Sequence, residues 1–340
     1  MLRASYCRYV LNFKEIAITS RARMKEKETF FVRLYDDEHP EIFGVGECPL
    51  FRGLSAEDSP EYENILRDCC RQVPAEMPNS SIAFGFESAT FDLLLRINRL
   101  QVSDFSVPIN GLVWMGDRET MYERLKAKLE AGFRCVKLKI GGIDFEEELS
   151  LLKYIRSRFS AADVELRLDA NGAFTPQNAL KRLEQLAKFD VHSIEQPIRQ
   201  HQPLEMRQII EKSPIPIALD EELIGMWSDE ERAHLLDELH PHFVVLKPSL
   251  CGGFISTSKW IKEAQNRNIG WWVTSALESN VGLTAIALYL KDYNVSMPQG
   301  LGTGGLYTNN FDSPLTLEGD NLIFHADLPL CNPDLPWISV

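Results

Sequence analysis

CVKLKIGG, residues 135–142, is an apolar, strand-like run that carries two lysines. Side chains alternate across a β-strand, so Lys137 and Lys139 face one side and the apolar residues between and beside them face the other. Lysine is rarely buried in full unless another group compensates its charge. The run therefore predicts a strand whose polar face meets either water or a cluster of negative charge.

Similar runs recur after residue 107 and alternate with amphipathic, helix-like stretches. The candidate strands are residues 107–114, 135–140, 164–171, 192–197, 216–222, 243–249 and 270–276, with an eighth expected near 298–303. Repeated strand–helix units predict parallel strands joined by right-handed crossovers. The α/β pattern favours a closed (β/α) barrel, and an open doubly wound sheet is the alternative.

The rest of the chain has a different pattern. Residues 1–106 group strands before helices, which predicts an α+β domain, and the barrel is expected over residues 107–310. Residues 311–340 contain no clear strand–helix unit, so we expect them to return to the first domain. The polar stretch ITSRARMKEKE, residues 18–28, is either a mobile segment suited to covering the barrel mouth or an ordinary exposed loop.

Composition limits the class of protein. The 340 residues carry a net charge of −13, which argues against general nucleic-acid binding, and no apolar run is long enough to predict a membrane span. The seven cysteines are odd in number, lack a CxxC spacing and fit reduced thiols. The N-terminus has no signal-like apolar segment, so we expect a cytoplasmic protein. Oligomeric state cannot be predicted from these features.

Polar residues recur near the carboxyl ends of six successive candidate strands, about one strand–helix unit apart. They are Lys139, Asp169, Glu195, Asp220, Lys247 and Ser275. In a barrel, this rim is where reactive groups collect. Each residue alone could instead be an ordinary loop-entry residue, because Asp often begins such loops as a helix cap, but the recurrence of all six favours one shared cavity.

Asp169, Glu195 and Asp220 would place three carboxylates side by side. Three converging negative charges require a cation to stay ionised, and ligation by oxygen alone favours Mg²⁺, with Mn²⁺ possible, over Zn²⁺. Lys139 and Lys247 would flank that cation from opposite sides. The positive charge of the cation would lower the proton affinity of a nearby lysine, which could then act as a base. Removal of a proton next to a substrate carboxylate gives an enediolate, and the metal would stabilise it. For a single strand-end lysine, the alternative is a surface side chain that reaches solvent.

The motifs together resemble those of the enolase superfamily over most of the chain. They are KLK (137–139), LRLDAN (166–171), IEQP (194–197), ALDEE (218–222), LKPS (246–249) and TSALES (274–279). The resemblance implies a modified (β/α) TIM-type barrel with an α+β capping domain, and Mg²⁺ on the three carboxylates. It also implies that Lys139 is the base, that Lys137 shapes its charge, and that Asn171 and Glu221 support the metal ligands.

Within the superfamily, several segments resemble the branch that dehydrates 2-succinyl-6-hydroxy-2,4-cyclohexadiene-1-carboxylate in menaquinone biosynthesis. These are Arg167, LKPS at Lys247, SALESNVGLTAIA (275–287) and GECPLFRGLS (46–55).

The resemblance to this branch implies that the substrate is a small-molecule carboxylate. It implies that Lys139 removes the α-proton and then protonates the departing hydroxyl on the same face, while Lys247 stabilises the anionic intermediate. The TSALES loop around Ser275 would hold the succinyl carboxylate, Arg167 would support the metal ligands, and Phe51 and Leu54 would form an apolar wall.

Three other functions remain open from the sequence. An N-acylamino acid racemase or dipeptide epimerase of the same superfamily would also use Lys139 and Lys247, although TSALES lacks the second acid of a DxD-type motif for a dipeptide's amino group. A non-catalytic metal-binding barrel is a second alternative, and the complete set of lysines and carboxylates argues against it. A phosphate-binding barrel is a third, because QGLGTGG (299–305) could bind an anion through its backbone amides.

Overall fold

A computed structural model describes most of the chain and divides it into a cap and a barrel. The described residues are 1–18, 23–73, 77–78, 80–98 and 102–340. Of the 18–28 segment, residues 19–22 lie outside this description. Residues 23–28 belong to a strand, so the loop expected there is wrong for that part. None of the helices in the described ranges has the length and apolarity required to span a membrane.

The cap is an antiparallel sheet with two helices packed on one face. Its elements are β1 (Leu2–Ile18), β2 (Arg23–Asp36), β3 (His39–Cys48), α1 (Tyr62–Arg71) and α2 (Ser81–Ile97). Apolar residues of β2, such as Phe30 and Val32, pack against Phe86 of α2. The helix lies very close to β3, since a Cβ on Gly46 would fall 1.9 Å from the Gly85 carbonyl oxygen. Glycine at position 46 is what permits this packing.

Seven parallel strands, each followed by a helix, form most of the barrel. The strands are β5 (Gly111–Val113), β6 (Cys135–Lys139), β7 (Glu165–Asp169), β8 (Ser193–Glu195), β9 (Ile217–Leu219), β10 (Phe243–Leu246) and β11 (Gly270–Val273). The helices are α3 (Arg118–Glu130), α4 (Phe145–Arg156), α5 (Pro176–Leu186), α6 (Pro203–Lys212), α7 (Asp229–Leu239), α8 (Gly253–Asn266) and α9 (Asn280–Leu290). This confirms the modified (β/α) TIM-type barrel with an α+β cap.

The eighth position of the barrel is filled by two residues rather than by a full strand. Gln299 makes a parallel bridge to Ile109, just before β5, and Gly300 makes one to Thr274, just after β11. The Gln299 side chain extends this pairing, because its Oε1 accepts from the Val273 amide at 2.7 Å. The expected strand near 298–303 is therefore present as a short closing segment.

The segment expected to be one strand at 107–114 is divided between two sheets. Its first part belongs to β4 (Phe105–Pro108), which pairs with a C-terminal hairpin of β12 (Leu315–Glu318) and β13 (Asn321–Phe324). Its second part is β5 of the barrel. The boundary expected between residues 106 and 107 thus falls inside β4. Of the C-terminal segment, β14 (Ile338–Ser339) pairs with β1 of the cap.

The alternation predicted for residues 135–140 is present in β6. Val136, Leu138 and Ile140 are buried in the core between the strands and the surrounding helices. Lys137 and Lys139 face the barrel interior, where Lys137 is 6% exposed. Because β6 and β7 pair in register, with Lys139 opposite Asp169, the lysines meet negative charge rather than water.

Candidate active site

A row of carboxylates crosses the barrel at the carboxyl ends of three adjacent strands. Asp169 of β7 pairs in register with Glu195 of β8, and Asp220 directly follows β9. All three side chains are buried. The spacing of one strand–helix unit therefore brings the three carboxylates together, as the sequence predicts.

Three lysine ammonium groups lie against these carboxylates. Lys137 Nζ is 2.5 Å from Glu195 Oε2 and 3.0 Å from Asp169 Oδ2. Lys139 Nζ is 2.9 Å from the same Asp169 oxygen. Lys247, on the opposite side of the cavity from Lys139, forms an ion pair with Asp220. The site therefore places three positive and three negative side chains in one buried cluster.

Burial and charge act in opposite directions on the carboxylates. Burial raises the pKa of Asp169, but the ammonium groups of Lys137, Lys139 and Lys247 outweigh it and hold this pKa well below its usual range. Burial and the neighbouring Asp169 raise the pKa of Glu195 to about 8. Burial also raises the pKa of Asp220, against the opposing effect of Lys247.

The lysines that form ion pairs with Glu195 and Asp220, which are Lys137 and Lys247, hold their protons tightly. Burial alone would lower the pKa of Lys137, but Asp169 and Glu195 outweigh it, and its pKa lies above the usual value. Asp220 and its neighbours raise the pKa of Lys247 in the same way. The sequence predicts a lowered lysine pKa because of the positive charge of a divalent cation. The protein's own carboxylates instead raise the pKa of both lysines.

The donor set fits a hard divalent cation. Within the described ranges, no three acidic, histidine or cysteine side chains stand at metal-binding spacing, and lysine nitrogens lie against the carboxylate oxygens instead. Glu195 Oε1, however, is buried and makes no hydrogen bond to a described residue. A buried carboxylate oxygen of this kind, beside two more carboxylates and no soft ligands, suits Mg²⁺ or Mn²⁺.

Polar residues just beyond the strands hold the cluster in place. The Asn171 Oδ1 accepts from Lys139 at 2.6 Å, and its Nδ2 donates to Glu221 Oε1 at 3.2 Å. Gln196, which was not predicted as a site residue, accepts from the Asp220 amide at 3.2 Å and is fully buried. Its position next to Glu195 in the IEQP motif could have identified it as a residue of the site.

Arg167 lies apart from the carboxylate row. It is two residues before Asp169 on the same face of β7, so it occupies the layer below, about 6.6 Å deeper along the strand. There it donates to Glu165 at 2.7 Å and to the Pro298 carbonyl at 2.8 Å, and its guanidinium covers the Trp272 ring. Its contacts belong to the barrel interior rather than to the metal ligands.

A cavity of about 190 Å³ lies above the cluster, between barrel and cap. Phe51 and Leu54 of the cap line it, as does Ser275, but the Ser275 hydroxyl donates to Glu278 at 2.6 Å and accepts from the Leu277 amide. The lining residues that were not predicted include Asn110, Trp114 and Thr303. Trp114 directly follows β5 and Thr303 follows the closing segment, so their places at strand ends were the available signal, whereas Asn110 directly precedes β5.

Comparison with known proteins assigns the family. The family model described as "Enolase C-terminal domain-like" matches residues 120–312, which is more than half of the chain. The chain belongs to the enolase superfamily. The resemblance inferred from the sequence motifs is thereby confirmed. The charged cluster of this protein lies at the strand ends where those motifs occur.

Similar members of the superfamily include lyases and epimerases. The o-succinylbenzoate synthase of Desulfotalea psychrophila is 43% identical over 94% of this chain and 98% of that protein. The L-Ala-D/L-Glu epimerase of Francisella tularensis subsp. novicida is 27% identical over 77% of this chain and 75% of that protein.

Two solved structures have a similar fold. The crystal structure of MenC from Desulfotalea psychrophila covers 94% of this chain and 99% of its own, with 40% identity and a TM-score of 0.82. The L-Ala-D/L-Glu epimerase from Bacillus subtilis covers 99% of this chain and 98% of its own, with 19% identity and a TM-score of 0.80. At that lower identity, the epimerase structure is evidence for the fold alone.

Proposed function

We propose that this chain is an o-succinylbenzoate synthase. The reaction is the syn-dehydration of 2-succinyl-6-hydroxy-2,4-cyclohexadiene-1-carboxylate to o-succinylbenzoate in menaquinone biosynthesis, which makes the protein a carbon–oxygen lyase. The observation that carries this proposal is the 43% identity to a curated synthase over nearly the full length of both chains. The buried cluster of lysines and carboxylates supports the reaction class.

Lys139 is the proposed base. It removes the proton α to the substrate carboxylate to give an enediolate and then donates that proton to the departing hydroxyl on the same face, so that water leaves. Its Nζ is held by Asp169 and Asn171, which fixes the direction from which it reaches the substrate. Lys247 faces it across the cavity, where its ammonium group stabilises the anionic intermediate.

Mg²⁺, or Mn²⁺ in its place, is the proposed cofactor, and Asp169, Glu195 and Asp220 would hold it. When bound, the cation supplies positive charge next to the substrate carboxylate, which stabilises the negative charge that develops there. Phe51 and Leu54 form the proposed apolar wall. The cell compartment we propose is the cytoplasm, in keeping with seven cysteines that are all free thiols.

The sharpest test compares Lys139→Ala with Lys181→Ala, which removes an exposed lysine from α5. With Mg²⁺ present, Lys139→Ala should lower kcat by at least about 100-fold, because it removes the general base, while binding of o-succinylbenzoate changes little. Lys181→Ala should match the wild type. Substantial turnover by Lys139→Ala would remove that residue from its proposed role.

Metal removal tests the cofactor. Chelation with EDTA should abolish turnover, and Mg²⁺ should restore it. Glu195→Gln should weaken Mg²⁺ binding in direct titration calorimetry because it removes one of three anionic ligands. Full activity of the chelated enzyme would contradict the cofactor assignment.

A racemase or epimerase remains the second candidate, favoured by the pair Lys139 and Lys247 on opposite sides of the cavity. The two activities are separated by measuring product formation beside racemisation of an N-succinyl amino acid in one preparation. Racemisation without dehydration would replace the proposed function. The absence of both reactions, with Mg²⁺ binding intact, would favour a non-catalytic barrel.

A further inference from the structure

A second buried charge cluster lies at the interface between cap and barrel, behind the wall of the active-site cavity. It consists of Lys27 of β2, Glu47 of β3 and Glu278, which follows β11. All three side chains are buried, and none of them lines the cavity.

Glu278 connects the ends of two adjacent barrel strands. Its Oε1 accepts from the Ser249 hydroxyl at 2.6 Å, and its Oε2 accepts from the Ser275 hydroxyl at 2.6 Å and from the Ala276 amide at 2.7 Å. Ser249 is two residues beyond Lys247, and Ser275 and Ala276 line the cavity. One carboxylate therefore fixes both the cavity wall and the segment that follows Lys247.

Glu47 attaches the cap to the next residues of the barrel. It accepts from the Ser279 amide at 2.8 Å, from the Ser279 hydroxyl at 2.6 Å and from the Gly282 amide at 3.2 Å. On the cap side it accepts from the Thr29 hydroxyl at 2.9 Å. A Cβ on Gly282 would lie 2.9 Å from Glu47 Oε2 and 2.8 Å from Glu278 Cβ, so glycine there leaves space for both carboxylates.

Lys27 supplies the compensating positive charge. Its Nζ is buried and makes no hydrogen bond to a described residue. Lys27 lies on the same face of β2 as Thr29, which contacts Glu47, and burial lowers the pKa of Lys27 against the opposing charges of Glu47 and Glu278. Two buried carboxylates so close would repel each other without it.

We propose that Glu278 is a positioning residue of the active site and that the cap fixes its position through Lys27 and Glu47. The cap thus sets the arrangement of residues 274–279 as well as covering the cavity. The proposal rests on the proposed function, because it concerns the wall against which the substrate's succinyl end would lie.

Steady-state kinetics of Glu278→Gln tests the first part. The variant keeps the shape of the side chain but loses its charge and one acceptor oxygen, so the wall at Ser275 and Ala276 is no longer held. We expect KM to rise about 10- to 100-fold with a smaller change in kcat, and Glu278→Asp to recover part of the loss. Wild-type KM and kcat in Glu278→Gln would overturn the proposal.

Lys27→Met tests the connection to the cap. It should raise KM in the same direction, and the double variant with Glu278→Gln should be less impaired than the product of the two single effects, because the two charges act as one unit. Independent, multiplicative effects would overturn the part of the proposal that concerns Lys27.

Glu87→Gln is the matched control. Glu87 is also a cap carboxylate that binds barrel backbone amides, those of Phe254 and Ile255 at the start of α8, but it is not part of the cavity wall. It should leave KM unchanged. If Glu278→Gln likewise left KM unchanged and altered only the melting temperature, the role of Glu278 would be structural and the proposal would be wrong.

Hydrogen exchange of the substrate-free protein decides the matter independently of the reaction. The Ala276 amide is bound to Glu278 and the Ser279 amide to Glu47, so these amides report directly on the cluster. In both Lys27→Met and Glu278→Gln they should exchange at least about tenfold faster, with the α5 and α6 amides unchanged. Unchanged exchange at residues 276–279 would overturn the proposal even if the wild type had no synthase activity. Faster exchange in a wild type without synthase activity would support the cluster and reject the proposed function.

Discussion

Asn171 lies two residues beyond Asp169 and adopts a left-handed backbone conformation, with a φ of 42°. This conformation is uncommon for a residue other than glycine, although asparagine tolerates it better than most. It turns the side chain back over the strand ends, where its Oδ1 accepts from Lys139 at 2.6 Å. An unfavourable backbone angle therefore positions the amide that orients the proposed base.

The variants Asn171→Ala and Asn171→Gly separate these two effects. Both remove the hydrogen bond to Lys139, so we expect kcat to fall about 10- to 100-fold in each. Glycine adopts a positive φ at no steric cost, so the alanine variant should be less stable than the glycine variant by about 1 kcal/mol in urea unfolding. Wild-type kcat in both variants would mean that Asn171 does not orient Lys139.

The charged row could be predicted from the sequence because two periodicities fix it. Alternation along each strand sets the face, and the length of each strand–helix unit sets the height, so Asp169, Glu195 and Asp220 had to meet. The same alternation places Arg167 one layer deeper, which the family resemblance had obscured. The bond from Ser275 to Glu278 has no such signal, because it depends on how the loop after β11 turns.

Among the elements, the closing segment of the barrel is the least regular. Gln299 and Gly300 occupy a position that a full strand fills at the other seven places in the barrel. The Gln299 side chain makes hydrogen bonds that the backbone of a full strand would otherwise make. Its Oε1 accepts from the Val273 amide, and its Nε2 donates to the Met297 carbonyl at 2.6 Å. The side chain is fully buried, so no solvent could replace it.

Gln299→Met should therefore destabilise the barrel. It leaves the amide of the buried Val273 without this partner, which is expected to cost about 1–3 kcal/mol in the free energy of unfolding. Urea denaturation measures this cost, with the exposed Gln208→Met on α6 as a control that should change stability little. A loss below about 0.5 kcal/mol would show that the barrel closes without this side chain.

Most of the elements could be predicted from apolar runs and their spacing, but the division of residues 107–114 could not. Its apolar residues lie on both sides of Asn110 and Gly111, and the chain changes sheet between Pro108 and Gly111. β4 pairs instead with a hairpin at residues 315–324, more than 200 positions further along the chain. Pairing over such a distance has no signature in the local pattern.

In the whole molecule, cap and barrel are joined by carboxylates of the cap that bind backbone amides of the barrel. Glu87 on α2 accepts from the amides of Phe254 and Ile255, and Glu47 accepts from those of Ser279 and Gly282. These amides lie at the N-terminal ends of α8 and α9, where negative charge is favoured. Because backbone amides occur at every position, this interface has no signature in the sequence.

The Glu87 contact should make stability depend on pH. Burial raises the pKa of its carboxyl from 4.5 to about 6, although the two amides oppose the shift. The folded protein therefore binds this proton more tightly than the unfolded chain does. The stability that results is fully present below pH 4.5 and is lost as the pH rises through 6.

Comparison of the wild type with Glu87→Gln isolates this group from the other carboxyls. The difference in unfolding free energy between the two should change by about 2 kcal/mol between pH 4.5 and pH 7, in the direction that favours the wild type at the lower pH. Chemical denaturation at several pH values measures it. A difference that stays constant over this range would contradict the raised pKa of Glu87.

The pairing of β14 with β1 has a consequence for biosynthesis. Ser339 lies opposite Ser5, so β1 receives this neighbour only after the whole barrel has been translated. Until then the nascent chain presents an open strand edge, which is a template for pairing with other chains. The order of translation thus leaves Ser5 and Tyr6 of β1 without their partner strand while the barrel is being made, and pairing with β14 then covers them.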